Sequence, residues 1–157
     1  MDELRDTKDV GELTQYIVIN LGEEMYGINI KYIDNIVRMQ QITRLPKVEE
    51  YLKGVINIRG EIVPVMSIRM MMGMPQDEMT NKSRIIILKV GDNELCGIIV
   101  DQVNQVLTLD ADSIEQVRYD NKDKSASNSF ISGVGKFDGG LVSILDLTSL
   151  DLESKDK

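Results

Sequence analysis

The chain repeats itself, and this restricts its fold more than any single motif. Ile17-Val-Ile-Asn-Leu-Gly22 followed by Tyr26-Gly27-Ile-Asn-Ile30 has a counterpart in Ile86-Ile-Leu-Lys-Val-Gly91 followed by Cys96-Gly97-Ile-Ile-Val100. Apolar residues then recur at a three-residue spacing in both copies: Ile30, Ile33, Ile36 and Val100, Val103, Val106. A later block repeats as well. Tyr51-Leu-Lys-Gly-Val55 matches Phe130-Ile-Ser-Gly-Val134, and Gly60-Glu-Ile-Val-Pro-Val65 matches Gly139-Gly-Leu-Val-Ser-Ile144. The second copy is longer by a polar stretch, Asp120 to Ser129, which reads as a mobile loop. A unit of about 60 residues buries only about 60% of its unfolded surface and is marginal alone. Two copies therefore have reason to share a core, though the pattern does not say whether they exchange strands.

Each copy reads as short strands broken by turn residues. Tyr16 to Leu21 is apolar and β-branched and ends at Gly22; Met25 to Ile30 returns, and Asn35 to Met39 is a third strand. Gly54 to Ile58 and Glu61 to Met66 flank a tight turn at Arg59-Gly60, and Asp138-Gly139 marks the matching hairpin. Ser67 caps a short helix, Ile68 to Met72, stopped by Gly73, and Asp146 is placed to cap its counterpart. Pro64 inside a strand pattern suggests an edge or a bulge, because proline donates no ladder hydrogen bond. Five short strands per half with turn glycines predict a mainly β protein of two small barrels. The barrels span about 15–79 and 84–150, flanked by a charged, flexible N-terminus at 1–14 and a charged tail at 151–157.

Composition removes several functions. Acidic residues number 26 against 18 basic, a net charge of −8, which argues against nucleic-acid binding. There is no histidine and one cysteine, so His-based nucleophile systems, internal disulfides and Cys-rich zinc sites are excluded. The N-terminus has no apolar signal segment and no run is long enough to span a bilayer, so a cytoplasmic protein without membrane insertion is expected. Asp110, Asp112 and Glu115 lack the spacing of a calcium loop and read as a helix start. Cys96 lies in an apolar strand and reads as a buried structural thiol. Six of the nine methionines fall between Met66 and Met79, as gap-filling core or as an adaptable docking surface. Arg59 at a hairpin tip is either a solvated charge or a donor fork set in a groove between the halves. No cofactor or metal is called for.

The blocks together resemble the chemotaxis coupling protein family CheW. The resemblance runs from about Gln15 to Leu150 through Ile42-Thr-Arg-Leu-Pro46, Lys53-Gly-Val-Ile-Asn-Ile-Arg-Gly60, Ile62-Val-Pro-Val-Met-Ser-Ile-Arg69 and Gly97-Ile-Ile-Val-Asp-Gln-Val-Asn-Gln-Val-Leu107. It implies two intertwined five-stranded SH3-like β-barrels with short helices and no enzymatic activity. It also implies an adaptor that bridges the cytoplasmic tips of methyl-accepting chemoreceptors to the regulatory domain of the histidine kinase CheA, near the membrane through receptor arrays. The receptor groove it implies comprises Ile33, Asn35, Gly54, Arg59, Val103 and Val106; the weaker kinase-docking candidates are Met39, Ile42 and Leu45. The family usually has Glu where Asn35 stands, able to pair with Arg59. Asp34 is adjacent but, by strand alternation, should point to the opposite face. The family also favours Asp where Ser67 stands, and both residues cap helices. Two other readings remain: a related module that engages receptors without the kinase, and an enzyme using carboxylates.

Overall fold

The computed structural model describes residues 13–75, 78–116, 130–138 and 140–147. Among the described residues, eleven strands, one α-helical turn and two 3-10 turns carry the fold. The first half holds β1 (Leu13–Leu21), β2 (Glu24–Asn29), β3 (Ile33–Arg38), β4 (Leu52–Ile58), β5 (Glu61–Ser67) and the helical turn α1 (Ile68–Met71). The second half holds β6 (Arg84–Val90), β7 (Glu94–Val100), β8 (Gln102–Asp110), β9 (Ile114–Gln116), β10 (Ile131–Phe137) and β11 (Gly140–Leu145). The expected loop at 120–129, the tail at 151–157, residues 1–12 and most of the helix expected after Asp146 lie outside the described residues, while Leu13 and Thr14, expected in the flexible N-terminus, belong to β1.

The halves exchange strands. The six-stranded sheet runs β8-β1-β2-β11-β10-β9, and the five-stranded sheet runs β3-β6-β7-β5-β4. The β1–β2 hairpin of the first half thus completes the sheet of the second, and β6–β7 completes the sheet of the first. The insertions obey one register: Gly27 of β2 pairs in parallel with Ile144, and Gly97 of β7 pairs in parallel with Val65, its repeat equivalent. Both glycines are closely packed, Gly97 chiefly against the antiparallel neighbour β6 and Gly27 against its parallel partner β11. A Cβ on Gly27 would lie 3.3 Å from Ile144 Cδ1, and one on Gly97 would lie 2.8 Å from Ile85 Cγ2.

This exchange explains why β1 and β6 read as continuous apolar runs rather than alternating ones. Tyr16 and Val18 face a core made only by strands of the six-stranded sheet, with Leu109, Val142 and Ile144. Ile85 and Ile87 do the same in the five-stranded sheet, with Ile56, Ile58, Val63, Val65 and Ile99. A sheet that forms a core from one of its own faces must curl around it, which is the barrel geometry. The other faces of the same strands, through Ile17, Ile19, Leu21, Ile86, Leu88, Cys96 and Ile98, meet in a third core between the sheets. Strands buried on both faces have no polar side to show in sequence.

Most of the methionine run closes this central core. Met66, Met71 and Met72 are buried in it, Met74 packs against it, and Met79 is exposed. Ser67 caps α1 as its sequence suggested, its Oγ accepting from Met70 N at 3.1 Å. The Pro64 expectation needs correction: β5 lies inside its sheet, between β7 and β4, and the bulge of the β4–β5 pair falls elsewhere, between Leu52 and Gly54. Proline is tolerated because Val55, opposite it, spends both main-chain groups on Thr43 at 2.9 Å, and the ladder to β7 starts only at Val65. The expected strand count per half also changes. The second half has six strands, the extra β9 pairing with β10 where the first half has only the Thr43–Val55 bridge.

Candidate interaction site

Bulges at equivalent places in the repeat shape the candidate site. In β3, Ile33 pairs with Leu88 and Asn35 with Ile87, so Asp34 is the extra residue. In β8, Val103 pairs with Ile19 and Gln105 with Val18, which leaves Asn104 extra. A bulge suspends the strict alternation of side chains and re-aims the extra one. The expectation that Asp34 points away from Arg59 is therefore overturned. Arg59 Nη2 donates to Asp34 Oδ2 at 3.3 Å, and their side chains are 66% and 29% exposed. Asn35 Oδ1, by contrast, is buried without a hydrogen-bond partner.

Arg59 and Gly60 form the two-residue turn between β4 and β5, with φ of 52° and 86°. Positive φ at both central positions marks the primed turn that suits hairpin twist. Asn57 Oδ1 fixes it by accepting from Gly60 N at 2.9 Å. The ion pair from this turn to Asp34, with the Thr43–Val55 bridge, ties β4 to the β3 side, the two edges of the five-stranded sheet.

The remaining groove candidates divide between the sheets. Ile33 and Val103 are half-buried and pack against the central core from β3 and β8. Val106 is exposed on β8. Gly54 is buried, and its face toward Ile42 and Thr43 leaves no room for a side chain. Of the kinase candidates, Met39 and Ile42 pack on the core of the five-stranded sheet, while Leu45 is exposed together with Val48. Ile42, Leu45, Val48, Leu52 and Met70 line an open groove of about 710 Å³, with charged residues such as Arg44, Glu49 and Lys53 around them.

A second polar cluster joins the halves and was not singled out from sequence. Arg69 of α1 reaches Asp101, between β7 and β8, through Nε to Oδ1 at 3.0 Å and Nη2 to Oδ2 at 2.6 Å. Gly22 N, in the β1–β2 turn, donates to the same Oδ2 at 2.7 Å. Burial raises the Asp101 carboxyl pKa, but the hydrogen bonds from Arg69 and Gly22 and the Arg69 charge outweigh it and hold it below the ordinary value. Nothing local marks this pair, because the two residues are 32 positions apart and meet only through strand exchange. The helix start expected at the acidic trio is corrected: Asp110 caps only a single 3-10 turn, Ala111–Ser113, accepting from Ser113 N at 3.0 Å, and Glu115 lies in strand β9. Cys96 is buried, which pushes its thiol up to about 12. Among the described residues, no helix is long and apolar enough to cross a membrane.

Two strand-exchanged sheets present exposed apolar residues and an exposed arginine, the kind of surface a protein-docking scaffold carries. The chain belongs to the CheW-like domain family, whose sequence profile matches residues 15–153. It is 35% identical over 150 residues to the chemotaxis protein CheW of Bacillus subtilis, covering 94% of each chain. It is 29% identical to CheW of Thermotoga maritima, covering 87% of this chain and 86% of that one. The crystal structure of the scaffolding protein TtCheW from Thermoanaerobacter tengcongensis superposes with a TM-score of 0.76 at 31% identity, covering 87% of this chain and 86% of that one. The chain is thus a non-enzymatic chemotaxis adaptor.

Proposed function

We propose that this adaptor couples the cytoplasmic tips of chemoreceptors to the regulatory domain of the histidine kinase CheA, and so sits at the membrane through receptor arrays. The observation that carries the reading is the match to CheW along nearly the whole chain, both halves included. Receptor tips are helical hairpins, and a helix lying over Ile33 and Val103 would touch both halves at repeat-equivalent positions. Asn35, Arg59 and Val106 complete that contact, and Gly54 keeps the neighbouring main chain close. Kinase docking falls chiefly on Leu45, the most exposed of the three, because Met39 and Ile42 pack in part on the core beneath it. A standard interface takes about 800 Å² per partner, and a surface of 9833 Å² supplies two. Holding both partners raises the local concentration of kinase near receptor without any direct contact between them.

The test is calorimetric titration of the full chain with the isolated kinase regulatory domain, then with a receptor-tip hairpin. Saturable one-to-one binding to each, and Leu45→Ala weakening only the kinase, is the expected result. A folded chain that binds the receptor tip but not the kinase would replace the coupling reading with a receptor-only module.

A further inference from the structure

We propose that Asp34 is a positioning residue that orients Arg59 toward an acceptor oxygen of the receptor partner; the purpose assigned to the pair rests on the coupling reading above. Arg59 has φ of 52°, in the left-handed region that Asn, Asp or Gly occupies at lower cost. At the equivalent turn position the second half has Asp138. An arginine kept at a strained position serves something other than the turn.

The base of the Arg59 side chain is fixed, since Asn57 Oδ1 holds the turn through Gly60 N at 2.9 Å. The far end is held by Asp34 Oδ2 at 3.3 Å. That contact exists only because the bulge makes Asp34 the unpaired residue between Ile33 and Asn35. One edge of the guanidinium is engaged, and with the side chain 66% exposed most of its five N–H donors remain free for a partner.

The molecule also contains its own control. The second half repeats the bulge and the hairpin, but its equivalent residues are Asn104 and Asp138, which cannot form this ion pair. Asn104 instead donates to Asn20 Oδ1 at 3.1 Å. The six-stranded sheet therefore forms without an equivalent ion pair. Exposed pairs also contribute little to stability, so holding a guanidinium ready for binding is the better account.

The experiment uses the full chain with Asp34→Asn, Arg59→Ala and the double variant, all checked by melting. The first readout needs no partner: ¹⁵N relaxation of the Arg59 Nε–H. It should be ordered in the wild type and mobile in Asp34→Asn; equal mobility in both overturns the proposal. The second readout is titration with a receptor-tip hairpin. Asp34→Asn should weaken binding about three- to tenfold, the loss for one side chain that must be ordered on binding. It should have no further effect in the Arg59→Ala background. An additive loss there would mean that Asp34 makes its own contact, and would overturn the positioning role. If the wild type binds no receptor tip, the coupling reading fails and takes the assigned purpose with it. The relaxation result then decides the orientation claim alone.

Discussion

Gly54 and Gly133 occupy equivalent places in the two halves, and each lies against a main-chain oxygen on the outer side of its strand, that of Thr43 in the isolated bridge beside β4 and that of Glu115 in β9 beside β10. A Cβ on Gly133 would sit 2.9 Å from Glu115 O and from Ile114 Cγ2. One on Gly54 would run into Thr43 O and come within 2.7 Å of Ile42 Cγ2, with the further strain of φ at 147°. Gly54→Ala should therefore cost about 3 kcal/mol or more and Gly133→Ala about 1–2 kcal/mol. Urea denaturation of both variants checks the order. The same crowding means that Gly54→Asp should lose partner binding through loss of fold, visible as a lowered melting temperature before any titration.

The Arg69–Asp101 bridge gives an acid-sensitive contribution. The folded-state pKa of Asp101 lies below the ordinary 3.8, so its stabilisation is present above that value and is lost as pH falls through the depressed one. Both side chains are mostly buried, at 13% and 23% exposed, so Asp101→Asn should cost about 2 kcal/mol at neutral pH. The gap to wild type should close progressively below pH 3.8. A gap that stays constant into acid would assign the loss to packing rather than charge.

Asn35 presents the opposite case. Its buried Oδ1 carries a desolvation penalty with no hydrogen bond to offset it. Asn35→Val removes that atom and suits a strand, and should stabilise the fold by about 1 kcal/mol in chemical denaturation. Destabilisation would mean that the amide is satisfied in solution.

Cys96 should be inert in the folded chain. With the thiol buried and pushed up to about 12, alkylation at pH 8 should proceed only as fast as the protein opens. Rapid labelling under native conditions would show that β7 opens locally.

The repeat, the strands and the turn at Arg59-Gly60 were legible because they depend on local chemistry. Apolar runs, turn glycines and the Ser67 cap act over a few residues. Strand partners were not legible: β1 pairs with β8 across the chain, and no local pattern distinguishes that from pairing within the first half. Asp34 was misread for the same reason. Alternation is a property of a regular ladder, and the bulge that suspends it arises from the register between β3 and β6, which depends on both strands. The candidate residues were located as a set, but their division into exposed and buried members required the packing. Ile42 and Leu45 are three positions apart, yet one packs on a core and the other faces solvent.

Strand exchange also sets the order in which a growing chain can fold. The first barrel cannot close when its own segment has left the ribosome, because β6 and β7, ending at Val100, must arrive first. The β1–β2 hairpin waits longer. Its partner β11 ends at Leu145, so Tyr16, Val18, Ile19 and Leu21 stay without their final neighbours until Leu145 has emerged. Such late, distant pairing slows folding and leaves sticky surface uncovered during synthesis. A nascent chain halted near residue 80 should therefore remain unfolded and depend on chaperones, although it carries a complete copy of the repeat.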